Sequence, residues 1–176
     1  MQAQALPRVE GPPDAATFRR CMRGQAGTVA VITCGEGDSR TGLTATAVCP
    51  VTDAPPTVLV CVNAGASAHP VIRATGRFGV SFLAGDQQEI AGRFAGRGGV
   101  AGAARYDGAA WHQAPSGAPL LQEALVSFDC VLEAEHRHGS HSIFIGRIDA
   151  ARWREDAAPL LYLDGRFGHF AVPPSA

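Results

Sequence analysis

The chain has 176 residues, 46% of them hydrophobic, and a formal net charge of -1. That length and apolar content suit one domain with a substantial core. The near-neutral balance leaves no electrostatic footprint for nucleic acid or an anionic membrane surface, and no apolar run approaches the ~20 residues of a membrane-spanning helix.

All 15 basic residues are arginine. Lysine chemistry is therefore excluded, and any phosphate clamp must use arginine, hydroxyls or backbone N–H groups. The five cysteines, at 21, 34, 49, 61 and 130, are odd in number and form no CxxC. This points to reduced, mostly buried thiols in a cytoplasmic protein rather than to disulfides or zinc. No charged-then-apolar leader is visible, and the six histidines form no HExxH pattern.

In chain order, residues 1–13 read as a flexible arm rich in proline. Asp14 can cap a short helix from Ala15 to Arg23, ended by Gly24. Thr28 to Cys34 is a β-branched apolar strand, and Gly35 to Gly42 a hairpin connection. Leu43 to Val48 reads as the returning strand, with Thr44 and Thr46 on one face and Ala45 and Ala47 on the other. Asp53 to Pro56 is a turn, and Thr57 to Val62 a continuous apolar run of the kind buried on both faces.

Asn63 to Ser67 is a loop, with Ser67 placed to cap a short helix through Ala74. Arg77 to Leu83 is a strand. Asp86 to Ala95 has helical spacing, with Asp86 as its cap. Gly96 to Gly108 reads as flexible loop, and Pro119 to Leu125 as a short helix. Strands follow over Val126 to Glu135, Ser142 to Ala151 and Leu160 to Leu163, with a short one over Phe167 to Phe170. Many strands, few helices, no βαβ order and no GxGxxG after a strand argue against a dinucleotide-binding Rossmann domain. They favour an antiparallel barrel with peripheral helices, a single domain over 14–171 with a tail at 172–176.

Three segments in register resemble the short-chain flavin reductases, the reductase components of two-component flavin monooxygenases. They are Gly27 to Thr33 with Gly42 to Ala47, then Asp53 to Asn63 with Ser67 and His69, then Gly139 to Gly146 with Pro159 to Tyr162 and Gly165 to Phe167. The resemblance spans Phe18 to Phe170. It implies a mainly β fold, a Greek-key-like antiparallel split β-barrel, that binds FAD or FMN, takes NADH or NADPH as hydride donor, and forms a homodimer. It also implies a flavin-dependent monooxygenase as the partner that receives reduced flavin. The chain departs from the family pattern at Cys49-Pro50-Val51, where Ser-Val-Ser is common. It departs again at Ser140, where an aspartate usually precedes the histidine.

On this resemblance, the flavin ring edge and ribityl chain meet Thr44, Ala45, Thr46 and Ala47, whose hydroxyls and backbone N–H groups suit them. Cys61, Val62, Asn63 and Ser67 border the cofactor, with the loop and helix start offering a phosphate site. Arg93 and Phe94 approach the phosphate or ring, though Phe94 equally suits core packing. His69, where threonine is common, is either a motif position or an exposed loop histidine. His141 sits where the nicotinamide enters and is the candidate positioning residue. Arg166 can pair with dinucleotide phosphates and Phe167 can stack on a flat ring. Two rival readings use the same barrel: a non-catalytic flavin-binding electron carrier, and an enzyme like pyridoxamine-phosphate oxidase.

Overall fold

The computed structural model describes residues 11–170; most of the expected arm and the tail lie outside the described residues. Among the described residues there are three α-helices: α1 (Ala15–Met22), α2 (Ala68–Thr75) and α3 (Gln88–Phe94). The first six strands are β1 (Gly27–Thr28), β2 (Ala30–Cys34), β3 (Thr41–Ala45), β4 (Val48–Asp53), β5 (Pro56–Asn63) and β6 (Arg77–Phe82). The others are β7 (Trp111–Gln113), β8 (Pro119–Leu121), β9 (Val126–His138), β10 (His141–Trp153), β11 (Leu160–Leu163) and β12 (Arg166–His169).

Seven strands form the main sheet in the order β3-β2-β6-β9-β10-β5-β4, every pairing antiparallel. The expected strand over 43–48 is in fact two. The chain bends at Thr46 and Ala47, and its halves become the opposite edges of one sheet. Two residues can join the edges only if the sheet curls round until they meet, because n residues span at most about 3.6 Å × n. No hydrogen-bonded ladder joins β3 to β4 among the described residues, so the barrel stays split along this seam.

The expected strand over 28–34 also divides. Val29 leaves the short β1 and donates its N–H to the Leu160 carbonyl, while its own carbonyl accepts from Leu83. Val29 through Cys34 are all buried, because β2 has a core on each face. Ala30, Ile32 and Cys34 face the barrel interior with Val58, Val60, Val62, Phe78 and Phe144, where α2 adds Ala68 and Ile72. Val29 and Val31 face a second core with Leu83, Phe94, Tyr106, Leu121 and Leu160. Period-2 alternation thus feeds two cores from one strand.

Three other expectations change. Pro119 to Leu121 is strand β8, not helix; all three residues are buried and pair with β7. Residues 96–108 are not a loose loop. Two 3-10 turns (Arg97–Gly99 and Gly102–Tyr106) are pinned by Arg105, whose guanidinium donates to the Arg93 carbonyl at 3.1 Å and the Phe94 carbonyl at 2.5 Å. Tyr106 is buried there and donates to the Thr41 carbonyl at 2.7 Å. Finally, α3 starts at Gln88 with Gln87 as its cap residue, leaving Asp86 outside. Gln87 instead ties the Ala84 N–H to the Glu123 carbonyl, at 2.9 and 2.7 Å.

The β9–β10 hairpin is longer than its apolar pattern suggests, running to the pair His138–His141. Its loop is Gly139-Ser140, and Gly139 at φ +57° supplies the positive φ that a two-residue hairpin requires. No helix among the described residues is long and apolar enough to cross a membrane. All five cysteines are free, and burial pushes the Cys34 and Cys130 thiols up to about 12.

On β10, Gly146 passes under the Phe78 ring, and an added methyl would press on that ring and on Cys130. Gly146→Ala is expected to lower stability by about 1–3 kcal/mol through overpacking. The shift of the urea midpoint at constant m-value measures it.

Candidate active site

The bend at Thr46 and Ala47 opens a cleft of about 390 Å³ beside the seam. Small side chains, Ala45 and Ala95, give it room; Tyr162 and Phe167 give it an aromatic wall; Thr44, Thr46 and Arg97 give it polar groups. A second hollow of about 360 Å³ shares Thr46 and Tyr162 and continues past Ala47 to Met22 and Arg19 of α1. A third, of about 450 Å³, shares Phe167 and holds Arg166. The three hollows adjoin one another at Thr46, Tyr162 and Phe167 and form a trough around the β3–β4 bend and the β11–β12 hairpin.

Arg97 and Tyr162 line this trough although the sequence reading assigned them no role. Tyr162 packs edge-on against Phe167, ring centroids 5.3 Å apart, and the Arg97 guanidinium lies 5.4 Å from the Phe167 ring centre. The only sequence signal for Tyr162 was its place inside a family-like segment. Arg97 had none, because the turn that brings it back depends on Arg105 and Tyr106.

The hydroxyl of Thr44 donates to the Ala91 carbonyl at 2.6 Å, so it anchors α3 and leaves Thr46 as the exposed hydroxyl of the pair. Ala45 is buried and Ala47 exposed. Val62 points into the barrel core and can reach a ligand only through its backbone, whereas Cys61 is half-buried on the opposite face. Phe94 is 1% exposed and packs between Tyr106 and Trp111, with centroids at 5.1 and 5.4 Å. Its ring is a core ring. Arg93 bonds the carbonyls of Ala104 and Arg105 and pairs with Asp107 at 3.5 Å, which commits its charge to the 102–107 turn.

Backbone bonds connect the trough to the other two expected stretches. The Ala47 carbonyl accepts from the Cys61 N–H at 3.0 Å. Two residues on, Asn63 stands opposite His141, and the Ala64 N–H donates to the Ser140 carbonyl at 2.9 Å. Asn63 folds its side chain onto the Gly65 N–H at 2.8 Å. Ser67 is the residue before α2, but its hydroxyl meets Thr41 Oγ1 at 2.7 Å and makes no helix cap. His141 is exposed, its Nδ1 2.9 Å from the Ser140 hydroxyl, where the resembled family has a carboxylate.

His69 is not an exposed loop histidine. It is 4% exposed, its Nε2 lies 2.8 Å from Ser142 Oγ, and its ring packs on Phe144 at 5.2 Å. The Ser142 hydroxyl also reaches Glu135 Oε1 at 2.6 Å, and Arg73 meets the other carboxylate oxygen at 2.8 Å. The Ser142 hydrogen bond, with the nearby Arg73 and His69, holds the Glu135 carboxyl below its ordinary value of 4.5.

A sequence profile described as the flavin reductase like domain matches residues 22–171. The chain belongs to the flavin reductase like domain family. Membership makes it an enzyme, an oxidoreductase acting on flavin. Among its relatives, an FMN reductase (NADH) RutF of Stutzerimonas stutzeri is 38% identical over 168 residues, covering 96% of this chain and 95% of that protein. A RutF of Methylorubrum extorquens (strain DSM 6343) is 40% identical over 156 residues, covering 89% and 75%. Among solved structures, the Streptomyces globisporus C-1027 NADH:FAD oxidoreductase SgcE6, in complex with NAD and FAD fragments, superposes with a TM-score of 0.86. It is 29% identical and covers 96% of this chain and 100% of that one. BorF, the flavin reductase component of a bacterial two-component tryptophan halogenase, gives 0.82 at 35% identity over 91% of this chain and 100% of that one.

A carboxyl whose folded-state value is depressed stabilises the fold above its unfolded value and loses that contribution as pH falls through the folded one. Glu135→Gln is therefore expected to be less stable than the parent at neutral pH. The difference should close as pH drops below 4.5. Urea midpoints of the two proteins across that range check it.

Proposed function

We propose that this member of the family oxidises NADH and reduces an exchangeable FMN or FAD, which then leaves for a partner flavin-dependent monooxygenase. The observation that carries the reading is the trough at the β3–β4 bend, backbone-linked to Asn63 and His141. Its residues fit a flavin: small side chains that leave room, an aromatic wall, an exposed hydroxyl and an arginine.

When bound, the cofactors supply the chemistry, a hydride passing from nicotinamide C4 to flavin N5. The chain supplies position. Thr46 and the backbone of Ala45 and Ala47 hold the ring edge, and Tyr162 and Phe167 bound its face. Cys61 and Val62 contribute backbone at the bend. Asn63 and Ser67 frame the phosphate end, where backbone N–H groups replace the missing lysine. Arg97 and Arg166 offer charge to phosphates as bidentate donors. Thr44 acts one step back, by holding α3 against the bend. Arg93 and Phe94 do the same for the turn that carries Arg97. His141 presents its ring nitrogen at the nicotinamide side, oriented through Ser140. No side chain has to exchange a proton for the transfer, so alignment is the protein's whole task.

NADH stands in the names of the RutF relatives and of SgcE6, with FMN in the first and FAD in the second. BorF, a component of a two-component halogenase, supports an onward partner. We read a homodimer from the exposed edge strand β4 and from exposed Phe18, Met22 and Leu163. A reaction fed by NADH belongs in the cytoplasm.

Steady-state oxidation of NADH and NADPH, each with added FMN or FAD, tests the assignment. Flavin-dependent turnover with NADH is the expected result, and none with any of the four pairs overturns it. His141→Ala is expected to raise the KM for NADH about tenfold, near 1.4 kcal/mol of lost binding, and to leave flavin affinity within about twofold. Stopped-flow binding and initial rates separate the two effects.

A further inference from the structure

Behind the proposed nicotinamide side runs a polar chain, buried at His69 and Ser142, that the proposed mechanism does not use. It starts at His69 on α2, passes through Ser142 on β10 and ends at Glu135 on β9, with Arg73 on the far oxygen. Its direction follows from counting protons. Glu135 is ionised and can only accept, so the single Ser142 proton goes to it. The Ser142 oxygen must then accept from His69, which fixes that ring with a proton on Nε2.

The chain sits where three elements meet. Ser142 follows His141 directly and stands opposite Val62, the residue before Asn63. His69 lies two residues past Ser67, whose hydroxyl is tethered to β3 through Thr41 at 2.7 Å. The start of α2 is therefore clamped twice, to β3 by Ser67 and to β10 by His69. Ser142 is fully buried and His69 nearly so, which makes these bonds costly to leave unmade and geometrically strict.

We propose that the His69–Ser142–Glu135 chain is a positioning device that holds the His141 turn in register with the Asn63–Ser67 loop, and so sets how well the dinucleotide is used. The proposal rests on the function assigned above. His69, Ser142 and Glu135 are positioning residues: they act through His141 and touch neither cofactor.

The test uses the full chain with KM and kcat for NADH, flavin affinity by fluorescence quenching, and melting temperature for each variant. Ser142→Ala is expected to raise the KM for NADH about tenfold, with kcat and flavin affinity each within about threefold of the parent. His69→Ala should behave alike, and His69→Gln, whose amide can still donate, should recover most of the loss. In a His141→Ala background, Ser142→Ala should add no further change in KM, because both act through one group. A purely structural role would lower the melting temperature and the amount of active enzyme and leave KM unchanged; that result overturns the proposal. So does an equal KM rise for Ser142→Ala with and without His141. Should Ser142→Ala fail to fold, the His69 pair decides alone. Parent protein without turnover overturns the assigned function, and the proposal with it, whereas parent turnover with unmoved KM in the variants overturns the proposal alone.

Discussion

Two residues, Thr46 and Ala47, join the two edges of a seven-stranded sheet. So short a connection allows one outcome: the sheet curls until the adjoining ends of its two edges meet at the bend, where the Ala47 carbonyl continues the β4–β5 pairing by accepting from the Cys61 N–H at 3.0 Å. Curling creates an enclosed interior, which Val60, Phe78, Phe144 and the inner residues of β2 fill, with α2 contributing Ala68 and Ile72. It also leaves a seam where the backbone is not paired in a ladder, and the trough opens along that seam. The feature that makes the barrel is thus the feature that makes the site.

The seam needs support, since an unpaired edge and a tight bend are both weak points. Most of it comes from polar side chains bonded to backbone rather than to each other. Thr44 holds α3, Arg93 and Arg105 hold the 102–107 turn, and Tyr106 reaches back to Thr41. Several of these donors give a second bond to a carbonyl near a helix or turn end: the Ala91 carbonyl also accepts from the Ala95 N–H, and the Arg93 carbonyl from the Gly96 N–H. A chain without lysine assigns this work to arginine, whose planar fork can bond two carbonyls at once. Exposed arginines remain at the trough: Arg97 and Arg166 beside Phe167, and Arg19 and Arg23 at its α1 end.

The limits of reading residues alone show in the elements that failed. Leu43 to Val48 alternates well enough for one strand, and nothing local marks the bend, because the cause is the distant pairing of Val48 with Val60. Pro119 to Leu121 lost its helical reading to the ladder with Trp111 to Gln113 and to burial on all sides. Phe94 is the instructive site residue. Its spacing on α3 is right for either a core or a cofactor, and only the approach of Tyr106 and Trp111 shows that the ring is core. His69 could be read either as a motif position or as an exposed loop histidine, and Ser142, 73 residues later, buries it.

Propensities and spacings a few residues long were enough for the mainly β class, the Asp14 cap and the three family-like segments. Which hydroxyls and guanidiniums remain free for a ligand depends on long-range packing. A threonine or arginine is available only if no carbonyl lies within reach. Those carbonyls come from other elements of the chain, so the curling of the sheet left Thr46 and Arg97 open while it engaged Thr44 and Arg93.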